Sequence, residues 1–122
     1  HNPDSARRLK QSLEQYFHFT RAILVIGVSS DKDIAGIVPE LVPLFDKVIV
    51  TRSRHPRAMA PSSIAAEFSR HGVRTRAAGD VPTALSLALA LARARDLICV
   101  AGSLFVVTEA IEQAKRLCLM IR

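Results

Sequence analysis

Residues 23–33 read ILVIGVSSDKD, an apolar run that ends at a glycine and gives way to a polar loop. Two further stretches repeat the plan: VIVTRSRHPRA at 48–58 and ICVAGSL at 98–104. Short apolar runs rich in β-branched residues are buried strands of a parallel sheet, covered on both faces. In such a sheet, ligands bind in the crevice outside the carboxyl ends of the strands. The loops after the three runs would share one edge and bring Lys32, Asp33, Arg52, His55, Arg57 and Ser103 to it.

Working outward, helical patterns fill the intervals. Asn2 and Pro3 suit an N-cap and a first helical position, and Ala6, Leu9, Leu13 and Phe17 recur at helical spacing, so a helix is predicted over Pro3 to Phe17. Residues 31–45 predict helical pieces interrupted by Pro39 and Pro43. Pro61 opens a helix that Gly72 closes. Val73 to Ala78 alternates apolar and charged residues and is predicted to be an exposed or edge strand. Asp80 caps a helix expected to reach about Arg95, and Ser103 caps one over Leu104 to Leu117. A helix followed by four βα units predicts an α/β fold: a Rossmann-like three-layer sandwich with a mostly parallel sheet. Its expected strand order is 3-2-1-4, with Ile23–Val28 as strand 1. The opening helix has no strand before it, so one is expected just ahead of His1, in a longer parent chain.

Composition excludes several classes. The chain has 122 residues, 49% of them hydrophobic, which suits one globular domain. It lacks Trp and has one Tyr, so stacking platforms for single-stranded nucleic acid are missing. The net charge of +6 comes from scattered arginines rather than a basic block. This fits attraction of a small anion better than nucleic acid, and no nucleic-acid partner is expected. The longest apolar stretch, Ala84 to Ala92, is too short to span a bilayer, so no membrane partner is expected either. Cys99 and Cys118 lie in apolar segments and read as reduced thiols in a cytoplasmic protein. The four histidines show no metal-ligand spacing, so no metal site is expected.

The loops carry no G-x-G-x-x-G and no Walker lysine motif, so this chain does not cradle a triphosphate in the usual way. Lys32 stands at a helix start, where a cation can meet a carboxylate or phosphate; equally, Asp31 or Asp33 caps the helix and Lys32 is solvated. Arg57 can grip a carboxylate through two parallel hydrogen bonds, or remain a surface arginine. Arg52 has the same choice with a weaker claim. His55 can donate to a ligand or be an ordinary loop residue. Gly102-Ser103 can offer N–H groups and a hydroxyl to an anion, while also capping the helix. No nucleophile–base pair and no catalytic residue stands out. The edge reads as one that binds and positions.

The order of HNP-D-S, ILVIGVSSDKDI, VIVTRSRHPRA and DLICVAGSL resembles the C-terminal domain of folylpolyglutamate and dihydrofolate synthases, in the muramyl-ligase superfamily. The resemblance spans residues 1–122 as one domain of a larger ligase. It implies an ATP-dependent ligase, in which a folate or dihydropteroate carboxylate is phosphorylated and the amine of glutamate attacks the acyl phosphate. ATP and magnesium would be held mainly by the N-terminal and central domains, so this chain alone would hold no cofactor and be inactive. Carried over by position, His1 and Asn2 would face the nucleotide, and Lys32, Arg57 and Ser103 the incoming amino acid. His55 stands where the family has asparagine; it and Arg52, the latter from its place at the strand exit, are counted with them as binders of the amino acid. Muramyl- or cyanophycin-type ligase domains, and a freestanding α/β module that binds small anions, are the alternatives.

Overall fold

The computed structural model describes Asp4, Arg8, Gln11, Ser12 and residues 21–121. The first four are helical, with an exposed Arg8–Asp4 ion pair one turn apart. The remainder of the predicted opening helix, His1 and Asn2 included, lies outside the described residues.

Four parallel strands form one sheet: β1 (Arg21–Gly27), β2 (Lys47–Val50), β3 (Thr75–Ala77) and β4 (Asp96–Gly102), in the order β3-β2-β1-β4. The helices are α1 (Ile34–Leu41), continued by a 3₁₀ turn at Val42–Leu44, then α2 (Pro61–Arg70), α3 (Val81–Leu91) and α4 (Leu104–Ile121). The predicted sandwich and strand order match this arrangement.

Side-chain alternation along β1 explains the layers. Ala22, Leu24 and Ile26 face one side, where Ile37, Val38 and Leu41 of α1 and Ile64 and Phe68 of α2 cover them. Ile23 and Val25 face the other, against Ala84 and Ala88 of α3. Val81, Val106 and Ala110 then join α3 to α4. With neighbours on both sides, β1 is buried from Ala22 to Gly27. Cys99, on β4, is a free thiol whose burial pushes its pKa up to about 11, which makes it a packing residue rather than a nucleophile.

The ends of α2 and α3 show why helices stop. After α2, Gly72 adopts φ 75°, its N–H donates to the Ser69 carbonyl, and the Val73 N–H returns to Phe68. That pair of bonds satisfies the carbonyls of the last turn. α3 ends at Leu91, four residues before the predicted Arg95. The Asp96 carboxylate takes the Arg93 N–H at 2.8 Å, and Arg95 turns to φ 72°. β3 lies at the sheet edge as expected, but is exposed at both Arg76 and Ala77, so no apolar face backs its alternation. Among the described residues, no helix is long and apolar enough to cross a membrane.

Candidate functional site

The carboxyl ends of β1, β2 and β4 lie side by side, and two glycines bring them close. A Cβ on Gly102 would stand 1.7 Å from the Gly27 carbonyl oxygen; one on Gly27 would stand 2.8 Å from the Thr51 carbonyl oxygen and 2.9 Å from a Val106 methyl. Only glycine fits either place, and Gly102 also has φ 124°. This close approach seats the start of α4 against β1, where the Ser103 N–H donates to the Gly27 carbonyl at 2.9 Å. The Ser103 Oγ accepts the Val106 N–H at 3.2 Å and so caps α4. Its own proton remains available for a ligand.

The loop after β1 begins at Ser29 and ends at the helix cap. Asp33 Oδ1 accepts the Gly36 N–H at 3.1 Å, so Asp33, not Lys32, serves α1. Lys32 is exposed beside that cap.

The loop after β2 is held largely by side chains that bond backbone groups. Buried Thr51 donates its hydroxyl to the Ala78 carbonyl at 2.9 Å. Buried Ser53 accepts the His55 N–H through Oγ at 3.2 Å. His55 Nδ1 accepts the Arg57 N–H at 3.1 Å, which requires the ring proton on Nε2. The His55 ring stacks on Phe105 of α4, with centroids 4.1 Å apart and planes 23° from parallel. The Arg54 N–H donates to Glu109 Oε2 at 3.0 Å.

The two loops are joined. The Ser30 N–H donates to the Arg57 carbonyl at 2.8 Å, Ser29 and Ala58 form an antiparallel bridge, and the Met59 N–H returns to Val28. Lys32 and Arg57 therefore project from one connected segment, with Ser103 on the adjacent strand end. Arg52 is exposed just beyond β2. Among the described residues, the side chains of Lys32, Arg52 and Arg57 make no hydrogen bond or ion pair. His1 and Asn2 are not among the described residues. Among the described residues, no group of three or more His, Cys, Asp or Glu side chains could hold a metal ion.

Sequence reasoning missed Thr51, Ser53, Phe105 and Glu109. Only Glu109 left a signal. It falls on the stripe of α4 that buries Val106 and Ala110, an unusual place for an acid.

The glutamate ligase domain model of the Mur ligases matches residues 1–104. A dihydrofolate synthase/folylpolyglutamate synthase of Mycobacterium tuberculosis is 39% identical over 93 residues, which are 75% of this chain and 19% of that protein. E. coli FolC in complex with DHPP and ADP superposes with a TM-score of 0.85 at 28% identity, covering 95% of this chain and 28% of that one. A bifunctional folylpolyglutamate synthase/dihydrofolate synthase with Mn, AMPPNP and L-glutamate bound gives 0.76 at 28% identity, covering 95% and 27%. The chain thus spans about a fifth of the length of the curated relative and under a third of the solved chains. With its parallel 3-2-1-4 sheet and joined carboxyl-end loops, the chain belongs to the Mur ligase glutamate ligase domain family.

Proposed function

We propose that this chain is the closing domain of a cytoplasmic ATP-dependent ligase that joins glutamate to a folate or dihydropteroate carboxylate through an acyl phosphate. In this reading Lys32 and Arg57 hold the acid groups of the incoming glutamate, Ser103 donates its hydroxyl to it, and Arg52 adds positive potential. His55 acts differently from the role its position suggests: its Nδ1 serves the Arg57 N–H, so it shapes the loop, and only Nε2–H faces outward as a donor. The resemblance would give His1 and Asn2 a role toward the nucleotide. ATP and a divalent metal are bound by N-terminal and central domains, in keeping with the nucleotide and Mn in the solved relatives. When bound there, they supply the phosphoryl group and its charge neutralisation.

The observation that most supports this reading is the bond from the Ser30 N–H to the Arg57 carbonyl. It makes one rigid cationic rim of two loops that are distant in sequence. A rim fixed in this way positions both carboxylates of an amino acid at once, and leaves its amine free to attack a neighbouring acyl phosphate. Bringing the two reactants together turns a bimolecular step into a local one, and a separate closing domain times that encounter to substrate binding.

The test is glutamate-dependent phosphate release. The full ligase turns over, whereas the 122-residue chain alone does not. In the full ligase, Arg57→Ala raises the KM for glutamate roughly 10- to 100-fold, the worth of a charged hydrogen-bond pair. Unchanged glutamate KM in both Arg57→Ala and Lys32→Ala would end the proposal.

A further inference from the structure

Resting on the proposed glutamate rim, we infer that Glu109 is a positioning residue for it, acting through the backbone of the loop after β2. Glu109 is 8% exposed and sits on the second turn of α4. One carboxylate oxygen, Oε2, accepts the Arg54 N–H at 3.0 Å. The other, Oε1, is buried without a hydrogen-bond partner among the described residues and stands 3.6 Å from Arg54 Nε. One oxygen of this buried side chain therefore has no hydrogen bond to offset its burial, which makes the residue a weak stabilising device. Its position says what it does instead. Phe105 and Glu109 are one helical turn apart, and both grip the same loop, Phe105 through the His55 ring and Glu109 through the Arg54 N–H.

The grip leads to Arg57 step by step. Glu109 fixes Arg54, Ser53 fixes His55, His55 fixes the Arg57 N–H, and the Arg57 carbonyl takes the Ser30 N–H. The helix that Ser103 caps therefore also sets where Arg57 stands. Releasing one link lets the Arg57 backbone shift and carries the guanidinium with it, and misplacement by about 1 Å is enough to cost a large factor in productive binding. The acceptor matters rather than the charge: the Arg54 guanidinium is mostly exposed, and its pairing with Glu109 and Glu112 is long at 3.6 and 3.5 Å.

The experiment compares Glu109→Ala, Glu109→Gln and Arg54→Ala in the full ligase. Glu109→Ala is expected to raise the KM for glutamate roughly 10- to 100-fold while the KM for ATP moves less than about twofold. Glu109→Gln keeps an acceptor for the Arg54 N–H and restores the KM to within about threefold of the parent, as does Arg54→Ala, which retains that N–H. Amide hydrogen exchange on the 122-residue chain reads the same link directly: Arg54 loses protection in Glu109→Ala and keeps it in Glu109→Gln. If Glu109→Ala does not fold, Glu109→Asp takes its place, since it draws the carboxylate back by one methylene and must raise the glutamate KM where Gln does not. A glutamate KM unmoved by Glu109→Ala but raised by Arg57→Ala overturns the positioning role and leaves the rim standing. Equal rises for glutamate and ATP overturn it too, as a purely structural effect. No response in either Arg57→Ala or Lys32→Ala removes the rim itself.

Discussion

The two ends of the sheet treat charge in opposite ways. At the amino end Arg21, Asp46 and Asp96 are spent on structure. Arg21 reaches Asp96 Oδ2 through Nε at 3.1 Å and Nη2 at 2.8 Å, and Nη2 also donates to the Leu91 carbonyl. The same Asp96 oxygen closes the turn at Arg93, and Asp46 and Ala22 exchange two bonds at the mouth of β1. At the carboxyl end, neutral groups and the carboxylates of Asp33, Asp80 and Glu109 hold the backbone, and the cations Lys32, Arg52 and Arg57 are left toward solvent. A charge buried in a pair cannot also hold a ligand. The difference between the ends separates residues that keep the fold from residues free to bind.

The sharpest way to break this comparison is at the glycines. Gly102→Ala drives a methyl group into the backbone of Gly27, which cannot yield without parting β4 from β1 at the carboxyl end. Urea denaturation should show a loss of about 3 kcal/mol. At the amino end, Gly72→Ala meets open space and suffers only from its φ of 75°, so about 1 kcal/mol is expected. Equal losses would mean that the two ends are packed alike.

A smaller effect separates the cations. Lys32→Ala and Arg57→Ala in the 122-residue chain should each leave stability within about 0.5 kcal/mol of the parent, since neither side chain supports the fold. Arg21→Ala should lower the urea midpoint clearly, because Asp96 then loses its partner and the Leu91 carbonyl its donor. A midpoint that falls more in Arg57→Ala than in Arg21→Ala would reverse the roles of the two ends.

How far this division was legible in the sequence depended on the kind of interaction. β1 and β2 could be read because burial on both faces leaves uninterrupted apolar runs, β4 because its half-buried run is still apolar from Leu97 to Ala101, and Gly72 because a helix end needs a left-handed residue. The end of α3 could not. The residues after Leu91 include Ala and Arg, which favour helix, and only the tertiary pairing of Asp96 with Arg21 and the Arg93 N–H stops it. The cationic loops were legible as candidates, since strand ends point to one edge. Their joining was not, because the Ser30–Arg57 bond is backbone to backbone and carries no residue signature. His55 shows the same limit: its type suggests a donor to ligand, while its neighbours give Nδ1 to Arg57.

The finest test uses acid, because each end holds one carboxylate with a depressed pKa. Asp96 lies below its ordinary 3.8 through the Arg93 N–H first and Arg21 second; Asp80, the cap of α3 at the carboxyl end, lies below it through the backbone and side chain of Thr83. In both cases the folded chain binds the proton less readily than the unfolded chain. The stabilisation is therefore complete above about pH 4 and is lost as the pH falls through each depressed folded value. Asp96→Asn should flatten the acid limb of the stability curve and lower the neutral plateau, since a neutral amide cannot pair with Arg21. Asp80→Asn should flatten the limb with little change at neutral pH, since asparagine caps a helix about as well as aspartate. Stability measured between pH 7 and 2 tells them apart. A neutral-pH loss as large in Asp80→Asn as in Asp96→Asn would show that the carboxyl end, too, leans on a charge for its fold.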